Sequence, residues 1–231
     1  MNTPELSIVV PAYNEATHLE AVISELADVM DESLPNYEIL IVNNGSTDDT
    51  AHVIEKLEQK YPCIRHIYLE KNQQYGGGIQ AGLADAKGDM LGWAHADGQI
   101  DPKDIVRLYK GMRESGRELG KAVRVMRLVS KWRRMQSIIW YSIFQILFPS
   151  PYRDPNGTPR LLTRHARDVL KLESRDWFLE PEFVIKSLRH KIPIYEVETV
   201  WRSRKSGDSK AHLFTGMEFL KNLILYRIGM K

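Results

Sequence analysis

Met90-Leu91-Gly92-Trp93-Ala94-His95-Ala96-Asp97-Gly98-Gln99 begins as an apolar run and breaks into a carboxylate, a glycine and a carboxamide, with Asp101-Pro102 just beyond. Hard oxygen groups where a strand stops suit Mg²⁺ or Mn²⁺, ions that keep several waters and reach a protein through one or two carboxylates plus substrate phosphates. A solvated turn would use the same residue types. The rest of the chain decides between the two.

The pattern of an apolar run closed by polar residues occurs three times upstream. Residues 6–10 read as a buried parallel strand ending in Pro11-Ala12-Tyr13-Asn14-Glu15. Leu19, Val22, Ile23, Leu26 and Met30 then recur at helical spacing. Residues 37–42 form the second predicted strand, closing on Asn43-Asn44-Gly45-Ser46-Thr47-Asp48-Asp49, where Ser46 or Thr47 is placed to cap a helix carrying Val53, Ile54 and Leu57. Residues 64–69 are the third. Gly76-Gly77-Gly78 lead into a short helix through Ile79 and Leu83 that Gly88 is expected to terminate, and 90–94 are the fourth strand. Strands about 30 residues apart with helices between them are βαβ units. The predicted fold is therefore α/β with a mainly parallel sheet. Its ligand should lie outside the carboxyl ends of the strands, where the four polar clusters converge.

Downstream, the pattern predicts a helix over 104–112, a strand over 122–126 and an apolar, aromatic run within 130–148 that opens with basic residues. A turn-rich loop, Arg153-Asp154-Pro155-Asn156-Gly157-Thr158-Pro159, precedes a helix through Val169 and Leu170. A helix over 181–190, a strand over 192–200 and a basic loop over 201–210 follow. The last predicted element is an amphipathic helix with Phe214, Met217, Leu220, Leu223, Ile224 and Ile228.

A length of 231 residues at 43% hydrophobic content suits one domain, read as a half over 1–120 that binds nucleotide and metal and a half over 121–231 that binds the acceptor. The single cysteine, Cys63, excludes an internal disulfide and fits a reducing compartment. No basic region precedes the first apolar run, so no secretory signal is read, and no stretch reaches the roughly 20 apolar residues of a membrane span. The expected location is cytoplasmic. Charge is divided: of 30 acids and 32 bases, residues 1–104 hold 18 and 6, leaving 12 and 26 for the remainder. No acid occurs between Leu119 and Arg153, where Lys121, Arg124, Arg127, Lys131, Arg133 and Arg134 stand. Such a half faces an anion, and aromatic residues beside arginines over 130–148 suit a helix lying in lipid headgroups.

In this order the blocks resemble the family 2 glycosyltransferases of the GT-A fold, especially the dolichyl- and polyprenyl-phosphate sugar synthases, over nearly the whole length. Ile8-Val9-Val10-Pro11-Ala12-Tyr13-Asn14-Glu15 resembles the family's opening strand and turn. Val42-Asn43-Asn44-Gly45-Ser46-Thr47-Asp48 is similar to its second motif, with amides in place of two leading acids. Ala96-Asp97-Gly98-Gln99 matches the Asp-Ala-Asp-x-Gln motif, except that His95 occupies the first acidic position. Arg202, Arg204, Gly207, Ser209 and Lys210 resemble the Arg-x-x-Gly-x-Ser-Lys ending of the polyprenyl-phosphate enzymes.

The resemblance implies a metal-dependent, inverting transfer of a sugar from a nucleotide-diphosphate sugar to a polyprenyl phosphate, in cell-envelope glycan synthesis. It implies Asp97 and Gln99 as ligands of Mg²⁺ or Mn²⁺. Donor contacts fall to Pro11, Tyr13, Glu15, Asn44, Ser46, Gly78, His95, Ala96 and Asp97. Catalysis falls to Asp97, Arg124, Arg202 and Arg204, and the acceptor phosphate to Arg127, Arg202, Ser209 and Lys210. Chemistry agrees, because a lipid monophosphate is already ionised near neutral pH, with a second pKa of roughly 6, and needs cationic positioning more than a base. The expected partners are the donor, the lipid phosphate and an anionic membrane surface met peripherally on its cytoplasmic face. Nucleic acid is not among them, and a homo-oligomer is left open.

Other readings make different demands. A nicotinamide enzyme is rejected, since Pro11-Ala12-Tyr13 stands where Gly-x-Gly-x-x-Gly would follow the first strand. A nucleotidyltransferase would release pyrophosphate, and a non-catalytic binding module would hold donor without turnover. A saccharide acceptor would require a carboxylate base, for which Glu180 or Glu182 is the candidate.

Overall fold

The computed structural model describes residues 3–127, 131–202 and 213–229, with backbone alone at 126–127, 131–134 and 213–217. Four βα units open the chain: β1 (Leu6–Ala12), α1 (Leu19–Asp31), β2 (Tyr37–Asn44), α2 (Thr50–Lys60), β3 (Ile64–Leu69), α3 (Gln74–Asp85), β4 (Met90–Trp93) and α4 (Pro102–Ser115). There follow β5 (Leu119–Arg127), α5 (Lys131–Leu147), β6 (Arg160–Thr163), α6 (Arg164–Leu170), α7 (Leu179–His190), β7 (Ile194–Trp201) and α8 (Leu213–Arg227). One seven-stranded sheet in the order β3-β2-β1-β4-β6-β5-β7 runs through both halves of the sequence.

The continuous apolar runs arise because helices cover both faces of this sheet. Successive side chains of a strand point to opposite faces, so Ile8 and Val10 join one core with Leu19, Ile23, Met30, Ile54 and Leu108. Val9 joins the other with Ile79, Leu83, Phe178, Phe183 and Leu223. Ile39 and Ile41 divide from Leu40 and Val42 in the same way.

Four expectations are corrected. Strand β6 was missed between the turn-rich loop over 153–159 and the helix after it, because four residues led by an arginine carry no readable period. It runs antiparallel between β4 and β5. Helix α3 starts at Gln74, so the three glycines lie inside it. Their poor helix propensity is overridden by tertiary contact: Gly77 N–H donates to Arg175 O at 2.8 Å. Gly88 does not terminate α3, which ends at Asp85. Its amide donates to Ser7 Oγ, and a Cβ there would lie 2.6 Å from Ser7 N. The cap of α2 is likewise neither Ser46 nor Thr47: the N-cap position is Asp49, which makes no side-chain capping bond, while Asp48 Oδ1, just before it, accepts from Thr50 N–H and Thr50 Oγ1.

Gly82 shows how α3 sits so close to the sheet. A Cβ on it would come within 2.3 Å of Val9 Cγ1 and 3.0 Å of Val42 Cγ2. Gly82→Ala gains about 1 kcal/mol of helix propensity but overpacks a core at a cost of roughly 1–3 kcal/mol. The expected result is net destabilisation, read as a lower urea midpoint; a higher one would mean that the helix shifts without penalty.

Candidate active site

The parallel strands deliver their carboxyl ends to one edge, and β6, being antiparallel, brings its first residue, Arg160, to that edge as well. The strand order reverses direction beside β1, so the turns after β1 and β4 face each other across the crevice where open α/β sheets bind ligands.

The turn after β1 is shaped by hydrogen bonds from the turn after β2. Asn14 takes φ +53, donates its amide to Ser46 Oγ at 3.0 Å and accepts Thr47 N–H on Oδ1 at 2.8 Å. Glu15 N–H reaches Thr50 Oγ1, and the Glu15 carboxylate meets His18 Nε2 at 2.8 Å. Tyr13 lies half-buried in the same turn.

Asn44 is an amide for a structural reason. Its Oδ1 accepts Gln73 N–H at 2.9 Å while its Nδ2 donates to Gln74 O at 2.8 Å, clamping the entry to α3 from both sides. A carboxylate supplies the first bond but not the second. The amide is buried against Gly78, whose Cβ position would lie 3.0 Å from Asn44 Nδ2 and 3.3 Å from Pro11 Cβ. Pro11, Asn44 and Gly78 thus support the loop by packing on one another.

Asp97 is 7% exposed at the tip of the turn after β4. Its Oδ1 accepts Gln99 N–H at 3.1 Å across Gly98, which takes φ +71. Gln99 clasps Arg202, accepting Arg202 N–H on its carbonyl at 3.0 Å and donating Nε2 to Arg202 O at 3.2 Å. His95 Nδ1 stands 3.9 Å from Asp97 Oδ2. Among the described residues no group of three His, Cys, Asp or Glu side chains forms a cage. That donor set fits an ion completed by water and diphosphate oxygens and does not fit a closed structural site.

Behind His95 lies a buried polar chain that the sequence reading did not assemble. His95 Nε2 meets Tyr75 OH at 2.8 Å, and Tyr75 OH donates to Glu180 Oε1 at 2.6 Å. Trp93 Nε1 donates to the same oxygen at 2.9 Å, and Arg160 pairs with the other. Burial, with the Glu180 carboxylate beside it, pushes the Tyr75 phenol well above its ordinary pKa. Tyr75 also stacks on the half-exposed Trp177 at 4.0 Å, and Trp201 packs edge-on to His95. Tyr75, Trp177 and Trp201 carried no periodic signal in the sequence; isolated aromatics in polar loops were the one available hint.

Two of the four arginines foreseen as phosphate grips, Arg124 and Arg202, pair with carboxylates. Arg124 forks onto Asp154 through Nε and Nη2 and lies over the Trp201 indole at 4.5 Å. Arg202 pairs with Glu25 and, at 2.8 Å, with Asp101. Lys121 is fully buried beside Glu196 at 3.0 Å, and burial lowers its pKa to about 8. Arg127 ends β5, its side chain outside the described part, and Arg204, Ser209 and Lys210 lie outside the described residues.

A model of the family described as glycosyl transferase family 2 matches residues 7–170. The chain belongs to that family. This glycosyltransferase is 27% identical to human dolichyl-phosphate beta-glucosyltransferase, over 98% of this chain and 76% of that protein. It is 28% identical to the undecaprenyl-phosphate 4-deoxy-4-formamido-L-arabinose transferase of Serratia proteamaculans, over 95% and 67%. Its GT-A fold is similar to that of glucosyl-3-phosphoglycerate synthase from Mycobacterium tuberculosis, solved in complex with Mn²⁺, UDP and phosphoglyceric acid. The TM-score is 0.78 at 19% identity, covering 98% of this chain and 79% of the other.

The Asn44 clamp yields a test. Asn44→Asp should remove the donor to Gln74 O and leave that carbonyl unmatched, costing about 1–3 kcal/mol and raising the KM for donor. Unchanged unfolding and unchanged KM would show that the clamp is dispensable.

Proposed function

We propose that this glycosyltransferase moves a sugar from a nucleoside-diphosphate sugar to the phosphate of a polyprenyl lipid, working at the membrane surface. The observation that carries the reading is a paired, apolar helical face beside the site. Helices α5 and α8 follow the carboxyl ends of adjacent strands β5 and β7 and pack through Trp140 against Phe219. Ile138, Ile139 and Ile146 of α5, with Ile224 and Ile228 at the end of the chain, remain exposed. Phe144, in contrast, is buried in the core. No helix among the described residues is long and apolar enough to cross a membrane. Lipid contact by this interfacial face would bring the enzyme to an acceptor whose tail stays in the bilayer; Lys121 and Arg124 are spent on carboxylates, so it is Arg127, Lys131, Arg133 and Arg134 that would add about 1 kcal/mol each near an anionic leaflet.

The carboxylates argue in the same direction. A saccharide hydroxyl needs a base, yet Glu182 is fully buried and accepts from Glu173 N–H, Ser174 N–H and Lys186. Burial opposes its ionisation, but those hydrogen bonds outweigh the penalty and hold its pKa below the ordinary range. Glu180 is held by Arg160, Trp93 and Tyr75. A lipid phosphate, already anionic, asks for neither.

In this reading Asp97 anchors a Mg²⁺ or Mn²⁺ ion, which offsets charge building on the departing nucleoside diphosphate. The turns after β1 and β2 enclose the nucleoside, and the loop clamped by Asn44 closes one side of the crevice.

Incubation with a panel of sugar nucleotides, polyprenyl phosphate and anionic vesicles should yield a lipid-linked sugar by mass. Asp97→Asn should reduce turnover about a hundredfold or more, since loss of a Lewis acid costs several kcal/mol and each 1.36 kcal/mol is tenfold, with the melting temperature kept. Ile138, Ile139 and Ile146 exchanged for Ser should weaken vesicle flotation and turnover on long-chain acceptor more than on a short soluble analogue. A protein that never floats yet glycosylates a water-soluble saccharide efficiently would overturn the lipid reading.

A further inference from the structure

Three ring distances fix which side of Trp177 is covered. Tyr75 lies nearly parallel to it, 4.0 Å away at 10°, and takes one face. His95 is 6.0 Å from Trp177 but only 5.3 Å from Tyr75. A ring on the far face of the indole would be farther from Tyr75 than from Trp177, so His95 stands on the Tyr75 side. Among the described residues no ring covers the far face, and Trp177, 37% exposed, belongs to neither core. Trp201, in contrast, carries the Arg124 guanidinium over its ring at 4.5 Å.

The fold holds that open face still. Arg175 O accepts Gly77 N–H at 2.8 Å, and Asp176 accepts Phe178 N–H on Oδ1 at 2.9 Å and Asn222 Nδ2 on Oδ2 at 3.1 Å, so the chain is tied on both sides of Trp177. Behind the indole, Tyr75 is pinned through its hydroxyl to Glu180. Gly76 lets the loop come this near: a Cβ there would lie 2.3 Å from Ser174 O and 2.8 Å from Asp176 O. A singly exposed aromatic is ordinary. One backed by a buried ring and fixed on both sides within a crevice is a preorganised surface.

The order of the elements says what lands on it. Along the sheet the turns after β2 and β1, read as the nucleoside's, come first, Asp97 after β4 next, and the side that carries Arg160 and Trp201 last. The His95 ring, beside Asp97, is where the aromatic group begins, with Trp177 and Trp201 both edge-on to it. A donor laid in that order presents base, diphosphate and sugar in turn, so the sugar meets the aromatic group. A pyranose has a face of C–H bonds, and such a face packs on the negative face of an indole. We propose that the open face of Trp177 is the stacking platform for the sugar ring of the donor, with Tyr75 as its backing. This rests on the reading of the crevice as a nucleotide-sugar site and adds to it the residue that holds the transferred group.

Calorimetric titration of the whole protein in Mn²⁺ tests this with two pairs of probes, UDP with UDP-glucose and GDP with GDP-mannose. In the pair that the wild type binds, Trp177→Leu should weaken the sugar nucleotide about tenfold, the size of a single ring-stacking contact, while the bare nucleotide stays within about twofold. Trp177→Phe, which keeps a flat ring, should fall between wild type and Leu, and it reads the same contrast should the Leu variant not fold. An unchanged ratio of the two affinities, whether neither falls or both fall together, overturns the proposal. A loss confined to the KM for polyprenyl phosphate would give the ring to the acceptor, and a loss confined to flotation with anionic vesicles would give it to the membrane. Either result overturns the proposal and leaves the donor reading standing. If the wild type binds neither pair, the donor reading itself fails, and this inference with it.

Discussion

The ion pair between Arg160 and Glu180 is the contact on which the site depends. Arg160 is wholly buried and Glu180 is 3% exposed. Each charge loses its hydration, a cost of several kcal/mol per ion, offset only when partners satisfy the pair. Here they do. Arg160 also donates to Pro155 O and Gly157 O and lies over the Phe183 ring, while Glu180 accepts from Trp93 and Tyr75. Five segments meet at one pair: β4, the entry to α3, the 155–157 loop, β6 and α7. Removing either partner would leave an uncompensated buried charge, a loss of about 3–5 kcal/mol.

That pair also divides the labour of the carboxylates at the edge. Glu180 and Glu182 are spent within the protein, Glu15 is paired with His18, and Asp154 receives the fork of Arg124. Asp97 stands apart from these at the tip of the turn after β4, where its Oδ2 lies 3.9 Å from His95 Nδ1. The turn that holds it is rigid because Gln99 and Arg202 exchange hydrogen bonds across the crevice. Fixed placement of one carboxylate, with water and phosphate left to complete an ion, is what the proposed nucleotide-sugar chemistry requires.

The second half of the chain is organised outward from the same edge. The segments after β5 and β7 lead to α5 and α8, which bury Phe144, Leu223 and Tyr226 inward and leave isoleucines outward. Helix α8 is tied back to the site, since Asn222 Nδ2 donates to Asp176 Oδ2 at 3.1 Å in the loop that carries Trp177. The face proposed to meet lipid is therefore one short loop away from the aromatic stack on Tyr75.

Much was legible in the residues alone. Apolar runs with helices between them demanded a parallel sheet, and the parallel sheet demanded that the polar clusters after β1, β2 and β4 share an edge. Asp97 followed from that placement and from its resemblance to a family motif. Strand β6 was not legible, because four residues have no period and its leading arginine looks solvent-bound until Glu180 is seen beside it. The tasks of Arg124, Arg202 and Asn44 were hidden for a related reason: a charge or an amide in a sequence does not disclose its partner, and Asp154, Glu25 and Gln74 lie 30 or more residues away. Local periodicity and turn chemistry are properties of neighbouring residues and can be read in order. The partner of a buried polar group is decided only when distant segments close around it and exclude the water that would otherwise satisfy it.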